Sequence, residues 1–175
     1  VAQYRSSGAV PTALAFVAHM DHPGFEITAV GADGIVAKAM GGVPAAAVAK
    51  PTPVLVVSPA GARVAATTAP HPESAKPDDR RGERLVYVNT TVDVQPPTSV
   101  VFDLPDFVLD GNVIRMRAAD DLAGCASILA CLERLVESNA AANVYGVFTR
   151  AEEVGLYGAR LLAESGALPI DTVVI

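Results

Sequence analysis

Three short segments carry side chains that bind divalent metal or move protons: Ala18-His19-Met20-Asp21, Ala119-Asp120-Asp121 and Ala151-Glu152-Glu153. His19 and Asp21 are two apart, and in extended backbone such residues face the same way. The pair then divides into an imidazole nitrogen on a metal and a carboxylate that orients the ring from behind. A solvated loop accounts for the same triplet as simply. His22 faces the other way if the strand stays extended, so it is left out of the site.

Asp120-Asp121 directly precedes a helical pattern. Capping that helix, at the positive end of its dipole, needs only one Asp. The other is free to bridge two cations, which requires an anionic ligand with two oxygens. Gly124 permits close backbone approach there. In Glu152-Glu153, two adjacent carboxylates raise one another's proton affinity unless cations intervene. A metal site gives each a separate role. One ligates, while the other takes a proton from water and returns it to a leaving group. An exposed polar loop is the plainer account of either pair.

These segments need elements to hold them. Residues 13–18 are an unbroken apolar run, the pattern of a strand buried on both faces. Val113 to Met116 and Val144 to Phe148 read as further strands, and ligands collect at the carboxyl ends of strands in an open α/β sheet. A helix is expected from Asp121 to about Ser138, with Cys125, Ile128, Leu129, Leu132, Leu135 and Val136 at i, i+3, i+4, i+7 spacing. A second helix is expected from about Gly155 to Glu164, ending at Gly166, and a last strand from Thr172. This β-α-β-α-β order predicts a mixed, mostly parallel sheet flanked by helices.

From Phe25 the texture changes. Short strand-like runs at 25–30, 35–40, 54–57, 63–67, 85–89 and 100–102 are separated by turn chemistry such as Ala32-Asp33-Gly34, Gly41-Gly42 and Pro59-Ala60-Gly61. Asp33-Gly34 signals a hairpin. No helix-length pattern interrupts the stretch. Residues 24–104 are therefore expected to form an inserted all-β, barrel-like domain, dividing an α/β domain into 1–23 and 105–175. Ala69 to Glu83, with three prolines and seven charged residues, is expected to be a surface loop.

The 175 residues carry a net charge of −6, and their only basic cluster is the short Asp79-Arg80-Arg81 stretch, which argues against a nucleic-acid partner. No apolar run reaches the roughly 18 residues of a membrane span. Cys125 and Cys131 lie six apart within one helical pattern, read as reduced core cysteines and point to the cytoplasm. The chain starts at Val1 with no basic n-region ahead of an apolar stretch. It stops at Ile175 within a strand, so both ends read as cut.

The three segments also resemble a known family. Ala18-His19-Met20-Asp21-His22-Pro23-Gly24-Phe25, Arg117-Ala118-Ala119-Asp120-Asp121-Leu122-Ala123-Gly124 and Thr149-Arg150-Ala151-Glu152-Glu153-Val154-Gly155-Leu156-Tyr157-Gly158-Ala159 are similar to the motifs of dinuclear metal aminopeptidases. These include glutamyl aminopeptidase and the tetrahedral, self-compartmentalised aminopeptidases, and they too insert a β domain between the first two motifs. The resemblance implies two divalent cations, zinc or cobalt, roughly 3.5–4 Å apart. It makes His19 a ligand to one metal, Glu153 a ligand to the other, Asp120 the bridge, Glu152 the general base and Asp21 the residue orienting His19. It further implies peptide substrates and a homo-oligomer. Leu122 stands where the family has Arg. The remaining acidic ligand and last His are expected beyond Ile175, with an Asp or Glu within about three positions of it. The 175 residues alone are then expected to be inactive. A related amidohydrolase or deacylase, or a catalytically silent binding or assembly protein, are the alternatives.

Overall fold

The computed structural model describes residues 1–8, 11–75, 83–169 and 171–175. The chain divides into two compact units, Val1–His22 with Ala118–Ile175, and Pro23–Arg117.

The second unit is a closed antiparallel barrel. Its strands are β3 (Gly24–Gly31), β4 (Gly34–Met40), β5 (Pro53–Val57), β6 (Arg63–Pro70), β7 (Leu85–Asn89) and β8 (Thr98–Phe102), in the order β3-β4-β7-β6-β5-β8. Alternation selects the core: Phe25 and Ile27, Val54 and Val56, and Val86 and Val88 point inward from their strands. Phe25 and Phe102 meet edge to face with centroids 5.4 Å apart. The Ala32-Asp33 turn joins β3 to β4, with Gly34 at φ 122°. Thr68, fully buried, is satisfied by Thr52, whose backbone N–H donates to its hydroxyl at 3.2 Å. A single turn of helix, α1 (Ala45–Val48), interrupts what the sequence pattern presents as strand and turn alone, and Val48 joins the barrel core. Of the expected surface loop at 69–83, residues 76–82 lie outside the described residues.

The boundary at 104 moves to 117. Val113 to Met116 does not enter the parallel sheet. β9 (Val108–Asp110) and β10 (Val113–Arg115) pair with each other across Gly111, and both belong to the barrel's unit. The reason lies in polar ties around them. Arg117 donates its backbone N–H to Pro105 O at 2.8 Å, and its buried guanidinium pairs with Asp106.

The first unit is built on a four-stranded sheet in the order β1-β11-β2-β12: β1 (Ala2–Arg5), β2 (Leu14–His19), β11 (Asn143–Thr149) and β12 (Val173–Val174). β11 and β12 run parallel to β2, and β1 is antiparallel to β11, so the sheet is mixed and mostly parallel. β1 has no counterpart among the strands expected from sequence. Two helices accompany the sheet, α2 (Ala119–Ser138) and α3 (Tyr157–Ser165). The helix α2 buries Cys125 and Ile128 against Ala18, with Phe16, Leu122, Leu132 and Phe148 around them. It sits low on β11 because Gly146 makes room: a Cβ there would meet Ile128 Cγ2 at 2.7 Å. Leu129 and Val136, expected on the apolar face, are exposed instead.

Candidate metal centre

The strands β2 and β11 end side by side. Thr149 is in register with His19, and Met20 N–H donates to Thr149 O at 3.0 Å. His19 and the loop after β11 therefore emerge at the same carboxyl edge of the sheet.

That loop is held in a fixed path. The N–H groups of Gly155 and Leu156 both donate to Glu152 O at 3.0 Å, Tyr157 N–H to Ala151 O at 3.0 Å, and Gly158 N–H to Arg150 O at 2.9 Å. A Cβ on Gly158 would lie 2.3 Å from Arg150 O, so the start of α3 reaches the loop only because this residue has none. Ala151 and Leu156 sit at φ 58° and 59°, the left-handed region that costs an L-residue roughly 1–2 kcal/mol.

His19, Glu152 and Glu153 each bring a ligand atom within 4.8 Å of the others. The group includes Glu152, which the resemblance assigns to proton transfer rather than ligation. Asp120 joins through His19, its Oδ1 lying 3.1 Å from His19 Nε2, and Glu152 Oε2 lies 3.7 Å from the same nitrogen. On the far side of the ring, Nδ1 lies 2.9 Å from the backbone carbonyl of Asp21. A carbonyl only accepts, so Nδ1 carries the hydrogen and Nε2 is the nitrogen turned toward the carboxylates.

The electrostatics agree with a place for positive charge. Burial works to lower the His19 pKa, but the bond to the Asp21 carbonyl, the charge of Glu152, the hydrogen bond to Asp120 and the charge of Asp21 outweigh it and hold the ring above its ordinary value. The carboxylates that retain a proton on Nε2 are those that would retain a cation. Asp21 moves the opposite way. Burial works to raise it, but the Glu152 and Glu153 N–H groups, bonded to its two oxygens at 3.2 Å each, hold it below its ordinary value. The Asp21 carboxylate reaches the ring only as a charge, without a hydrogen bond, because its Oδ1 stays 3.8 Å from His19 Nδ1. Asp21 orients the ring with its main chain.

Asp120 and Asp121 divide as capping requires. Both have non-helical backbone angles, and Asp121 Oδ1 accepts the Gly124 N–H at 3.0 Å, three residues on, as an N-cap does. A Cβ on Gly124 would fall 2.4 Å from that oxygen. Asp120 is left to face His19. Beneath, the Cys125 thiol donates to His19 O at 3.4 Å, and burial holds its pKa above the ordinary value, helped by the Asp121 charge. Both cysteines are free.

One imidazole nitrogen among carboxylates is a donor set that suits a divalent cation. A mixed α/β unit interrupted by a six-stranded barrel, with such donors at its sheet edge, defines the class. The chain matches the M42 glutamyl aminopeptidase family over residues 2–175 and belongs to it. Among solved structures it is similar to the Pyrococcus horikoshii TET1 peptidase, which can assemble into a tetrahedron or a large octahedral shell (25% identity, TM-score 0.69, 92% of this chain and 51% of that chain). It is also similar to the TET aminopeptidase of the marine sediment archaeon Thaumarchaeota archaeon SCGC AB-539-E09 (21% identity, TM-score 0.75, 98% and 51%). A third is aminopeptidase APDkam598 of Desulfurococcus kamchatkensis (23% identity, TM-score 0.73, 98% and 49%). The latter two likenesses show the fold alone. The chain spans about half the length of these proteins. No helix among the described residues is long and apolar enough to cross a membrane.

Proposed function

We propose that the complete protein is a metal-dependent aminopeptidase that removes N-terminal residues from peptides at a two-metal centre, zinc or cobalt. The observation that carries this reading is the convergence of His19, Glu152 and Glu153 within 4.8 Å, with Asp120 against His19 Nε2. His19 would be a ligand to one cation and Glu153 to the other, with Asp120 the ligand shared between them. When bound, the cations polarise the scissile carbonyl and acidify a water. Glu152 accepts the attacking water's proton on its carboxylate and returns it to the departing amine. Asp21 O holds His19 Nδ1–H, so that Nε2 presents its lone pair to the site. Family membership supports peptide substrates, and the shells formed by the Pyrococcus horikoshii relative support a homo-oligomer. The free cysteines fit the cytoplasm.

Adjacent glutamates with different roles give opposite signatures. In the full-length protein, Glu152→Gln is expected to keep its metal and lose turnover by about 10²–10⁴-fold, because an amide cannot take the proton. Glu153→Gln is expected to lose metal, because a neutral amide oxygen is a poor ligand for a dication. Elemental analysis beside a peptide-hydrolysis assay reads both. Retention of metal and full activity in both variants would sink the assignment.

A further inference from the structure

We propose that the Asp21 carboxylate positions Glu152 and Glu153 rather than His19: by accepting the backbone N–H of both, it fixes where the two acidic side chains leave the main chain. The consequence for metal binding rests on the function proposed above. The clamp itself does not.

The geometry separates the two halves of Asp21. Its carbonyl already orients the ring, at 2.9 Å from His19 Nδ1, and no side chain is needed for that bond. Its carboxylate sits 3.8 Å from the same nitrogen, beyond hydrogen-bond reach. Each carboxylate oxygen instead takes one of two successive amides: Oδ1 from Glu152 and Oδ2 from Glu153, at 3.2 Å each. Consecutive N–H groups converging beside a left-handed residue, here Ala151, form a concavity that suits an anion. The loop satisfies its own carbonyls at Arg150, Ala151 and Glu152 with amides further along, so these two donors are the ones turned toward β2. Charge-assisted bonds of this kind are about twice as strong as neutral ones. Asp21 thus ties the end of β2, which carries His19, to the backbone that carries the two glutamates. The separation between imidazole and carboxylates is set through the main chain, ahead of any cation.

A clamp depends on how many acceptor oxygens remain, whereas an effect exerted on the imidazole depends on charge. Asp21→Asn keeps one acceptor oxygen and loses the charge; Asp21→Ala loses both. In the metal-free full-length protein, amide hydrogen exchange at Glu152 and Glu153 is expected to accelerate about ten- to a hundredfold in Asp21→Ala, with Asp21→Asn between it and wild type. Amides within α2 serve as the control and should not change. Co²⁺ titration followed by visible absorption should give the same order of affinity: wild type, then Asn, then Ala. Unchanged exchange at the two glutamates would overturn the proposal, as would equal loss of Co²⁺ affinity in Asn and Ala. If Asp21→Ala does not fold, Asp21→Asn decides: faster exchange confined to Glu152 and Glu153 supports the clamp, and wild-type exchange there overturns it. A wild-type protein that binds no Co²⁺ and cleaves no peptide would remove the aminopeptidase reading, and the exchange comparison would still decide the clamp.

Discussion

At Asp120 and Asp121 two identical side chains on adjacent residues part company, and the divider is a glycine three residues away. Asp121 can cap α2 because Gly124 leaves space for its carboxylate against the helix backbone, and Asp120 is then turned to His19. Gly158 plays the matching part at the other acidic pair, letting the start of α3 rest on the Arg150 carbonyl. Gly158→Ala should force that contact apart. Strain of this kind costs about 1–3 kcal/mol. The expected outcome is a lower melting temperature together with weaker metal binding, since the displaced segment carries Glu152 and Glu153. Calorimetry and metal titration on the full-length protein check it, and wild-type values in both would show that the loop holds its path without this contact.

Among the elements, β2 and β11 bring His19 and the acidic loop to one edge, and α2 seats on them at Gly146 through the buried Ile128 and Cys125. In the other unit the hairpin β9–β10 is preceded by Asp106, which is shared between two arginines. Arg63 donates to both of its oxygens at 2.8 and 2.9 Å, and the buried Arg117 pairs with it as well. The Arg63 bond, with the charges of Arg63 and Arg117, outweighs burial and holds the Asp106 carboxyl below its ordinary value. A depressed folded pKa means that the stabilisation is present above the unfolded carboxylate value and is lost as pH falls through the folded one. Asp106→Asn should therefore lower the melting temperature at pH 7. The difference from wild type should narrow once the pH drops below about 4, where the wild-type carboxylate also begins to protonate. A gap that stays constant from pH 7 to about pH 2.5 would show that the pairing contributes nothing.

For the molecule as a whole, the two units have separate hydrophobic cores. That of the barrel is drawn wholly from residues between Phe25 and Phe102. Closure gives each barrel strand a partner on both sides, which limits the open edges through which sheets aggregate. Residues 23–117 expressed alone are expected to fold, with a β-type circular dichroism spectrum and a cooperative thermal transition. An aggregated or non-cooperative product would mean that the barrel depends on the rest of the chain.

The sequence by itself determined what is local. Alternating Val and Ala runs punctuated by Asp33-Gly34, Gly41-Gly42 and Pro59-Ala60-Gly61 specify the barrel strands, because turn residues and side-chain period act within a few positions. The apolar spacing from Cys125 to Leu135 specifies α2, and the three acidic or His-bearing segments supply the residue types that a metal centre would need. Tertiary structure decided what depends on which backbone groups meet. Ala2–Arg5 becomes a strand by pairing with β11, since so short a run, half of it polar, carries too weak a pattern to be read alone. Val113–Arg115 finds β9 in place of the parallel sheet. Leu129 and Val136, at the same apolar spacing, lie outside the seat that α2 buries on this sheet. Asp21 turns its carboxylate to the amides of Glu152 and Glu153, and its carbonyl to His19. Amides and carbonyls recur all along the chain, so no residue type in the sequence marks where those bonds go; only the folded path of the main chain does.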